Sequence, residues 1–211
     1  MDALRPLNYF SNPSFLQIDL KAGVLRSRGG TRLVGLSDDF LRGFVQACEH
    51  EAGPATALIL RRCGYRFGLR LAQRCERELS SYLGRGLRDC SMLEFDTLIS
   101  NLWQGLGFGS LSVDWSKGQH GILPVKLQDS PMQDIGPRGH IADDMFCGLI
   151  EGVVEHFSAS PLGCIQTGDV RLGSKEGTTF VLAGPDVQPL IKQLVAEKLS
   201  HSAIVARISG G

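Results

Sequence analysis

The chain has 211 residues, room for one generous domain or two small ones, and its 22 basic and 22 acidic side chains cancel, so no global field draws it to nucleic acid or to an anionic membrane. No run of about 18 apolar residues argues for a spanning helix, and residues 1–8 lack the apolar core of a signal peptide. Six cysteines, at positions 48, 63, 75, 90, 147 and 164, show no CxxC spacing, which suits reduced thiols in the cytoplasm better than a secreted disulfide framework.

Residues 15–25 alternate weakly and Arg28-Gly29-Gly30 reads as a turn, so residues 1–36 are expected to form an extended arm or hairpin. Ser37 precedes Phe40, Leu41, Phe44, Val45 and Cys48, whose spacing predicts a helix capped by the Ser37 hydroxyl and stopped at Gly53-Pro54. A longer helical pattern covers residues 54–83, with Leu60, Cys63, Phe67, Leu71, Cys75 and Leu79 as its stripe. Such a helix would reach about 45 Å, so it is either packed over much of its length or broken near Gly64 or Gly68. Those two glycines share a face; they either admit another backbone or are weak points costing about 1 kcal/mol each against alanine. Arg61, Arg62, Arg66, Arg70, Arg74 and Arg77 read as the solvated side of the same helix.

Ser91 and Glu94 predict a capping box ahead of the stripe Phe95, Leu98, Ile99, Leu102, Trp103 and Leu106, with Gly107 as the stop. Leu111, Val113 and Trp115 on one strand, the turn Ser116-Lys117-Gly118, and Leu123, Val125 and Leu127 on the next predict an antiparallel hairpin. Pro124 is expected to turn its missing donor toward an edge or a bulge. An apolar helix follows over residues 141–157, with Ile141, Met145, Leu149, Val153 and Phe157 in line and Gly148 and Gly152 beside them. Strands at 163–167 and 178–183 precede a final helix carrying Val187, Leu190, Ile191, Leu194, Val195 and Leu199, with Pro189 in its first turn. Residues 201–211 read as a tail without an interpretable cap. The fold class is therefore α/β of the α+β type, an antiparallel sheet of about four to five strands packed against a group of helices, as one unit over residues 37–200.

Cofactor chemistry finds little footing. Gly105, Gly107 and Gly109 lie on a helix-to-strand step, whereas a dinucleotide needs a strand leading into a helix N-terminus. There is no Gly-x-Ser-x-Gly elbow, Walker loop or HExxH motif. Asp143 and Asp144, in a helix's first turn, serve its dipole more simply than acid–base work. Cys147 and Cys164, with His140 or His156, are the candidates for a soft metal, but two thiols without CxxC spacing more often act as small buried hydrophobes.

Several segments recur in an order that resembles a known family. They are Tyr65-Arg66-Phe67-Gly68, the step Leu106-Gly107-Phe108-Gly109, the strand end Asp129-Ser130-Pro131, the run Phe146-Cys147-Gly148-Leu149-Ile150-Glu151-Gly152 and the hairpin start Cys164-Ile165-Gln166-Thr167-Gly168-Asp169. Together, over roughly residues 40–184, they resemble the 4-vinyl reductase domain, a hydrocarbon- and tetrapyrrole-binding family related to TRAPP transport-complex subunits, with members in cyanobacteria. The chain departs from the family pattern at residues 170–177 and at Thr179, where a further cysteine is common, so a three-thiol metal site would lack a ligand.

The resemblance implies a non-catalytic protein that holds a hydrophobic small molecule, a tetrapyrrole first or a lipid, as a carrier or assembly factor in chlorophyll and photosystem biogenesis. It implies a site lined by Trp103, Phe108, Trp115, Phe146, Leu149, His156 and Phe157, with His156 or the Asp129-Ser130 pair orienting the guest. The implied partners are the small molecule, a second copy of the chain and photosystem or pigment-synthesis proteins, in the cytoplasm or at the periphery of a thylakoid membrane. The alternative is a dimeric scaffold with a lipid-filled or vestigial pocket, its interface built on Gly64/Gly68 and Gly148/Gly152. A reductase would need a separate electron donor and a cofactor site. The binding reading requires the space under the 141–157 helix to be partly hollow.

Overall fold

The computed structural model describes residues 7–133, 135, 143–158 and 160–210. Strands β1 (Leu16–Asp19), β2 (Val24–Ser27) and β3 (Arg32–Leu33) pair antiparallel as a three-stranded ribbon, one strand more than the expected hairpin. It is fastened to the body through Glu78, which accepts hydrogen bonds from the Tyr9 hydroxyl at 3.0 Å, Ser27 Oγ at 3.1 Å and Thr31 Oγ1 at 2.6 Å. Tyr9, Phe10 and Phe15 sink into the main core beside it.

Helix α1 (Asp38–Ala52) starts after Ser37, but the Ser37 side chain makes no capping bond; Asp38 and Asp39 in the first turn serve the helix dipole instead. Helix α2 (Thr56–Leu83) runs 28 residues without a break, about 42 Å. Helix α3 (Met92–Gly105) carries the expected capping box: Ser91 Oγ accepts from the Glu94 amide at 3.3 Å and Glu94 Oε2 from the Ser91 amide at 2.8 Å. Strands β4 (Ser110–Val113) and β5 (Ile122–Gln128) are joined by a 3-10 turn, Trp115–His120, so Trp115 lies just outside the strand that was expected to hold it. Helix α4 (Asp144–Ser158) is followed by β6 (Gly163–Gly168), β7 (Thr178–Ala183), α5 (Gln188–Ala196) and α6 (His201–Ile208). The expected helix start at Ile141 lies outside the described residues.

The second sheet has the antiparallel order β4-β5-β7-β6 and is covered on both faces. Side chains alternate across a strand: Phe180 and Leu182 of β7 join the core under α2, α3 and α4, while Val181 and Ala183 face Ile191, Leu194 and Ile204 of α5 and α6. Helix α6 was missed because the chain turns sharply at Lys198, with φ of +60°, before Ser200 opens it by accepting from the Ala203 amide at 3.3 Å. Pro124 sits in an internal strand, opposite Val181. Its carbonyl accepts from the Asp114 amide at 2.9 Å, so its missing donor faces the point where edge strand β4 ends.

Helices α2 and α4 touch backbone to backbone. A methyl group on Gly64 or Gly68 would collide with the carbonyl oxygens of Met145 or Leu149, and one on Gly148 or Gly152 with those of Arg61 or Tyr65. The paired glycines therefore pack on each other within one chain, and the small-residue faces that suggested a dimer interface are occupied. The buried face of α2 carries Leu60, Leu71, Cys75 and Leu79 of the expected stripe together with Gly64, Gly68 and Ala72, while Cys63 and Phe67 of that stripe are exposed. Arg61 leaves the solvated group. Its guanidinium pairs with Glu151 and donates to the Cys164 carbonyl at 2.7 Å, tying α2 to α4 and β6.

Candidate functional site

The inward sides of α3 and α4 and the adjoining face of the sheet enclose a narrow void. Ile99 and Trp103 from α3, Leu111 and Val113 from β4, and Ile150 and Val153 from α4 border it, with Phe95, Trp115 and Val154 closing its outer end. Its volume is about 10 Å³, close to the smallest space that holds one water. Trp103 is 0% exposed, and its indole Nε1 has no hydrogen-bond partner among the described residues. On its other side Trp103 packs at 5.7 Å from the ring of Phe108 and 6.0 Å from that of Phe146.

Outside the void lies an apolar cleft of about 250 Å³. Leu87, Met92, Leu123 and Phe157 line it together with the same Phe95, Trp115 and Val154, and among its described lining residues Arg88 is the only charged side chain. Phe95 stands edge-on to both Trp115, at 5.7 Å, and Phe157, at 5.0 Å. The Trp115 indole donates to Asp96 Oδ1 at 2.7 Å.

Of the residues expected to bind a ligand, Trp103, Trp115 and Phe157 border these spaces. Phe108 and Phe146 back the Trp103 ring, and Leu149 is buried where α4 meets Gly64 and Gly68. His156 is directed elsewhere: its Nε2 lies 2.8 Å from Glu76 Oε2 on α2, and its ring rests against Phe157. Phe95, Ile99 and Val154 were not expected here, although Phe95 and Ile99 occupy the same helical stripe as Trp103.

A buried polar chain joins the end of β5 to the α4 N-terminus and β6. Ser130 Oγ donates to Asp143 Oδ2 at 3.3 Å, the Asp143 amide donates to Gln166 Oε1 at 2.9 Å, and Gln166 Nε2 lies 3.3 Å from Asp169 Oδ2. Asp143 Oδ1 has no partner among the described residues, and burial pushes the Asp143 carboxyl up to about 7. Burial would also raise Asp169, but hydrogen bonds from the Arg171 side chain and amide hold it below the usual carboxylate range. Ser130 is thus committed to Asp143 and to the Met132 amide, away from the void. Cys147 and Cys164 are both buried; a hydrogen bond between their thiols, with burial, pushes Cys147 well up. No group of three or more His, Cys, Asp and Glu side chains among the described residues is arranged to hold a metal, and His140 lies outside them.

A larger groove, about 930 Å³, opens on the far side of the sheet, beside α5 and α6. Its lining includes Lys175, Glu176, Lys198 and His201; Glu176 accepts from the Ser202 amide at 3.0 Å, and His201 Nδ1 lies 2.7 Å from Thr167 Oγ1. None of the expected ligand-binding residues borders it.

No protein-family model matches the chain, and no curated protein matches it in sequence. Its fold is shared with solved structures of low sequence identity. It is similar to the phenol-responsive sensory domain of the transcription activator PoxR with phenol, at a TM-score of 0.65 and 17% identity, over 84% of this chain and 89% of that one. It is similar to a trafficking protein particle complex subunit 3 from Naegleria fowleri covalently bound to palmitic acid, at a TM-score of 0.50 and 16% identity, over 69% of this chain and 93% of that one. A vinyl-4-reductase family protein from Methanocaldococcus jannaschii matches at a TM-score of 0.46 and 15% identity, over 71% of this chain and 82% of that one. The likeness is one of fold. No helix among the described residues is long and apolar enough to cross a membrane.

Proposed function

We propose that this chain is a binding module for a small apolar molecule, held between α3, α4 and the β4–β5 connection, with the Trp103 ring at its inner end. The observation that carries this is the buried Trp103 Nε1 without an acceptor, on a residue that borders an apolar void behind an apolar cleft. A buried donor left unpaired costs about 1–3 kcal/mol, so a guest whose hydroxyl or carbonyl oxygen reaches the Trp103 N–H as the side chains around it adjust relieves a penalty that a pure hydrocarbon does not. The fold likeness to a domain solved with phenol supports a guest of single-ring size, and the likeness to a subunit covalently bound to palmitic acid supports an apolar one.

Burying about 150 Å² of ring at about 25 cal/mol per Å², plus one hydrogen bond, gives on the order of 5 kcal/mol, a Kd on the order of 0.1–1 mM. No bond is made or broken. The tetrapyrrole form of this reading fits the geometry less well. A cleft of about 250 Å³ lies below the range of about 300–1,000 Å³ that encloses drug-sized ligands. The wider groove has none of the aromatic residues expected around a macrocycle. A role in chlorophyll or photosystem biogenesis, with photosystem partners at a thylakoid surface, depends on that ligand and goes with it.

Titration with phenol and with toluene, followed by calorimetry, tests the assignment. Phenol is expected to bind about five- to tenfold more tightly than toluene, and Trp103→Phe to erase the difference. Unchanged phenol affinity in Trp103→Phe, or no binding of either compound, would refute it. A second reading, a dimerising or partner-binding module, draws on the N-terminal ribbon, where Ile18 is 66% and Leu20 88% exposed, with Val34, Leu36 and Phe40 also exposed nearby in sequence. Sedimentation of the chain with and without Ile18→Ser and Leu20→Ser separates it from the first.

A further inference from the structure

We propose that Phe95, Trp115 and Val154 form a partition that sets the size of molecule admitted to the Trp103 indole, with Trp115 as its movable part and Asp96 as the residue that holds it shut. This rests on the assignment of the void and cleft as a binding site. Phe95, Trp115 and Val154 are the residues that border both spaces, the void of about 10 Å³ and the cleft of about 250 Å³. With the partition closed, the inner space admits a water and nothing larger. A ring reaches Trp103 only if one of the three side chains moves.

They are not equally free to do so. Phe95 sits one turn inside α3, whose start is fixed by the Ser91–Glu94 capping box. Val154 sits on α4, which is locked to α2 by backbone contact at Gly148 and Gly152. Trp115 instead opens a six-residue 3-10 turn whose neighbours Asp114, Ser116 and Gly118 are exposed. Its indole is held by one hydrogen bond, Nε1 to Asp96 Oδ1 at 2.7 Å, and by its edge-on contact with Phe95 at 5.7 Å. Asp96 is partly exposed, so water can replace the indole as its donor when the ring swings away. Opening therefore costs one replaceable hydrogen bond and one ring contact, while moving either helix would disturb the main core.

The consequence is a selectivity set by side chains. Closed, the partition confines a guest to the cleft; open, it lets a single ring pass to the indole; without Trp115, the two spaces join and a two-ring guest fits. Asp96 acts here as a positioning residue, through Trp115.

The test compares phenol with 1-naphthol, which carries the same hydroxyl on two rings, by calorimetry, and follows phenol entry by stopped-flow tryptophan fluorescence. Asp96→Ala is expected to speed phenol entry by about tenfold, and Asp96→Asn, which keeps an acceptor at the same place, to stay within about twofold of the parent. Trp115→Ala is expected to raise the affinity for 1-naphthol by about tenfold while phenol changes little. If phenol binds but neither its entry rate in Asp96→Ala nor the ratio of the two affinities in Trp115→Ala departs from the parent, the partition is refuted and the site stands. If phenol binds neither the parent nor Trp115→Ala, the site itself is refuted and the partition with it.

Discussion

Replacing Gly148 by alanine tests whether backbone contact between α2 and α4 is what holds these two helices at their observed depth. The added methyl group would meet the Arg61 carbonyl oxygen head-on and lie 2.8 Å from the Tyr65 amide nitrogen, where ordinary contacts of such an atom begin at 3.4 Å. Both neighbours are backbone atoms of a 28-residue helix, so no change of rotamer relieves the clash. The helices must part by about 1 Å, and a gap of that size forfeits about a quarter to a half of each dispersion contact along the seam. Overpacking of this kind costs about 1–3 kcal/mol, against about 1 kcal/mol gained from the helix propensity of alanine. The expected result is a net loss of up to about 2 kcal/mol, lowering Tm by up to about 8 °C in a chain of this size.

Gly43 supplies the control. It lies within α1, and a methyl group there would meet no described atom within 4 Å. Gly43→Ala should therefore gain about 0.5–1 kcal/mol, through propensity alone. Urea unfolding of both variants decides the matter: if Gly148→Ala is stabilised as much as Gly43→Ala, the backbone contact is not real. Adding Gly64→Ala to Gly148→Ala should cost less than it does alone, because the helices are already apart.

Two other outcomes follow from buried charges. The Asp143 carboxyl, pushed up to about 7 by burial, keeps its proton in the folded chain at pH values where the unfolded chain, near 3.9, has lost it. Its contribution is thus full below about pH 4 and is lost as pH rises through about 7, at most a few kcal/mol in all. Asp143→Asn, neutral throughout, should flatten the stability profile measured by urea midpoints over that window; an unaltered profile would count against the buried, half-satisfied carboxyl. Arg61→Ala strands Glu151, which still accepts from the Cys164 amide at 3.0 Å, and after allowance for partial exposure should cost about 1–3 kcal/mol in the same assay. A change within about 0.5 kcal/mol would place Arg61 back on the solvated side of α2.

Most of the architecture was legible because apolar periodicity and punctuation agreed. The α3 stripe, the Ser91–Glu94 box, the β6 and β7 strands and the first-turn Pro189 all stand where local chemistry places them. The buried face of α2 was legible at Leu60, Leu71, Cys75 and Leu79 but misplaced at Cys63 and Phe67 for a specific reason: periodicity gives no weight to glycine, yet Gly64 and Gly68 lie on that face. A stripe drawn through Cys63 and Phe67 is rotated away from it. The candidate site was half legible. Trp103, Trp115 and Phe157, named from the sequence as large apolar side chains, border the candidate spaces, but the void's emptiness and the unpaired indole are properties of packing across α3, β4 and α4. His156, one turn beyond Gly152, lies on the face toward α2, where Glu76 meets it.

The two faces of α4 also bear on how the protein can respond to a guest. One gives Gly148 and Gly152 to α2, and the other gives Ile150, Val153 and Val154 to the void. A helix in side-chain contact can slide or tilt by rotamer changes, but a helix in backbone contact has no such slack. Space for a ligand therefore cannot come cheaply from α4. It has to come from the side of the void where packing is lightest, and that is the 3-10 turn carrying Trp115 between β4 and β5. The glycine seam and the aromatic partition are in this sense one design: rigidity on the α2 side of α4 confines adaptation to a single indole on the other.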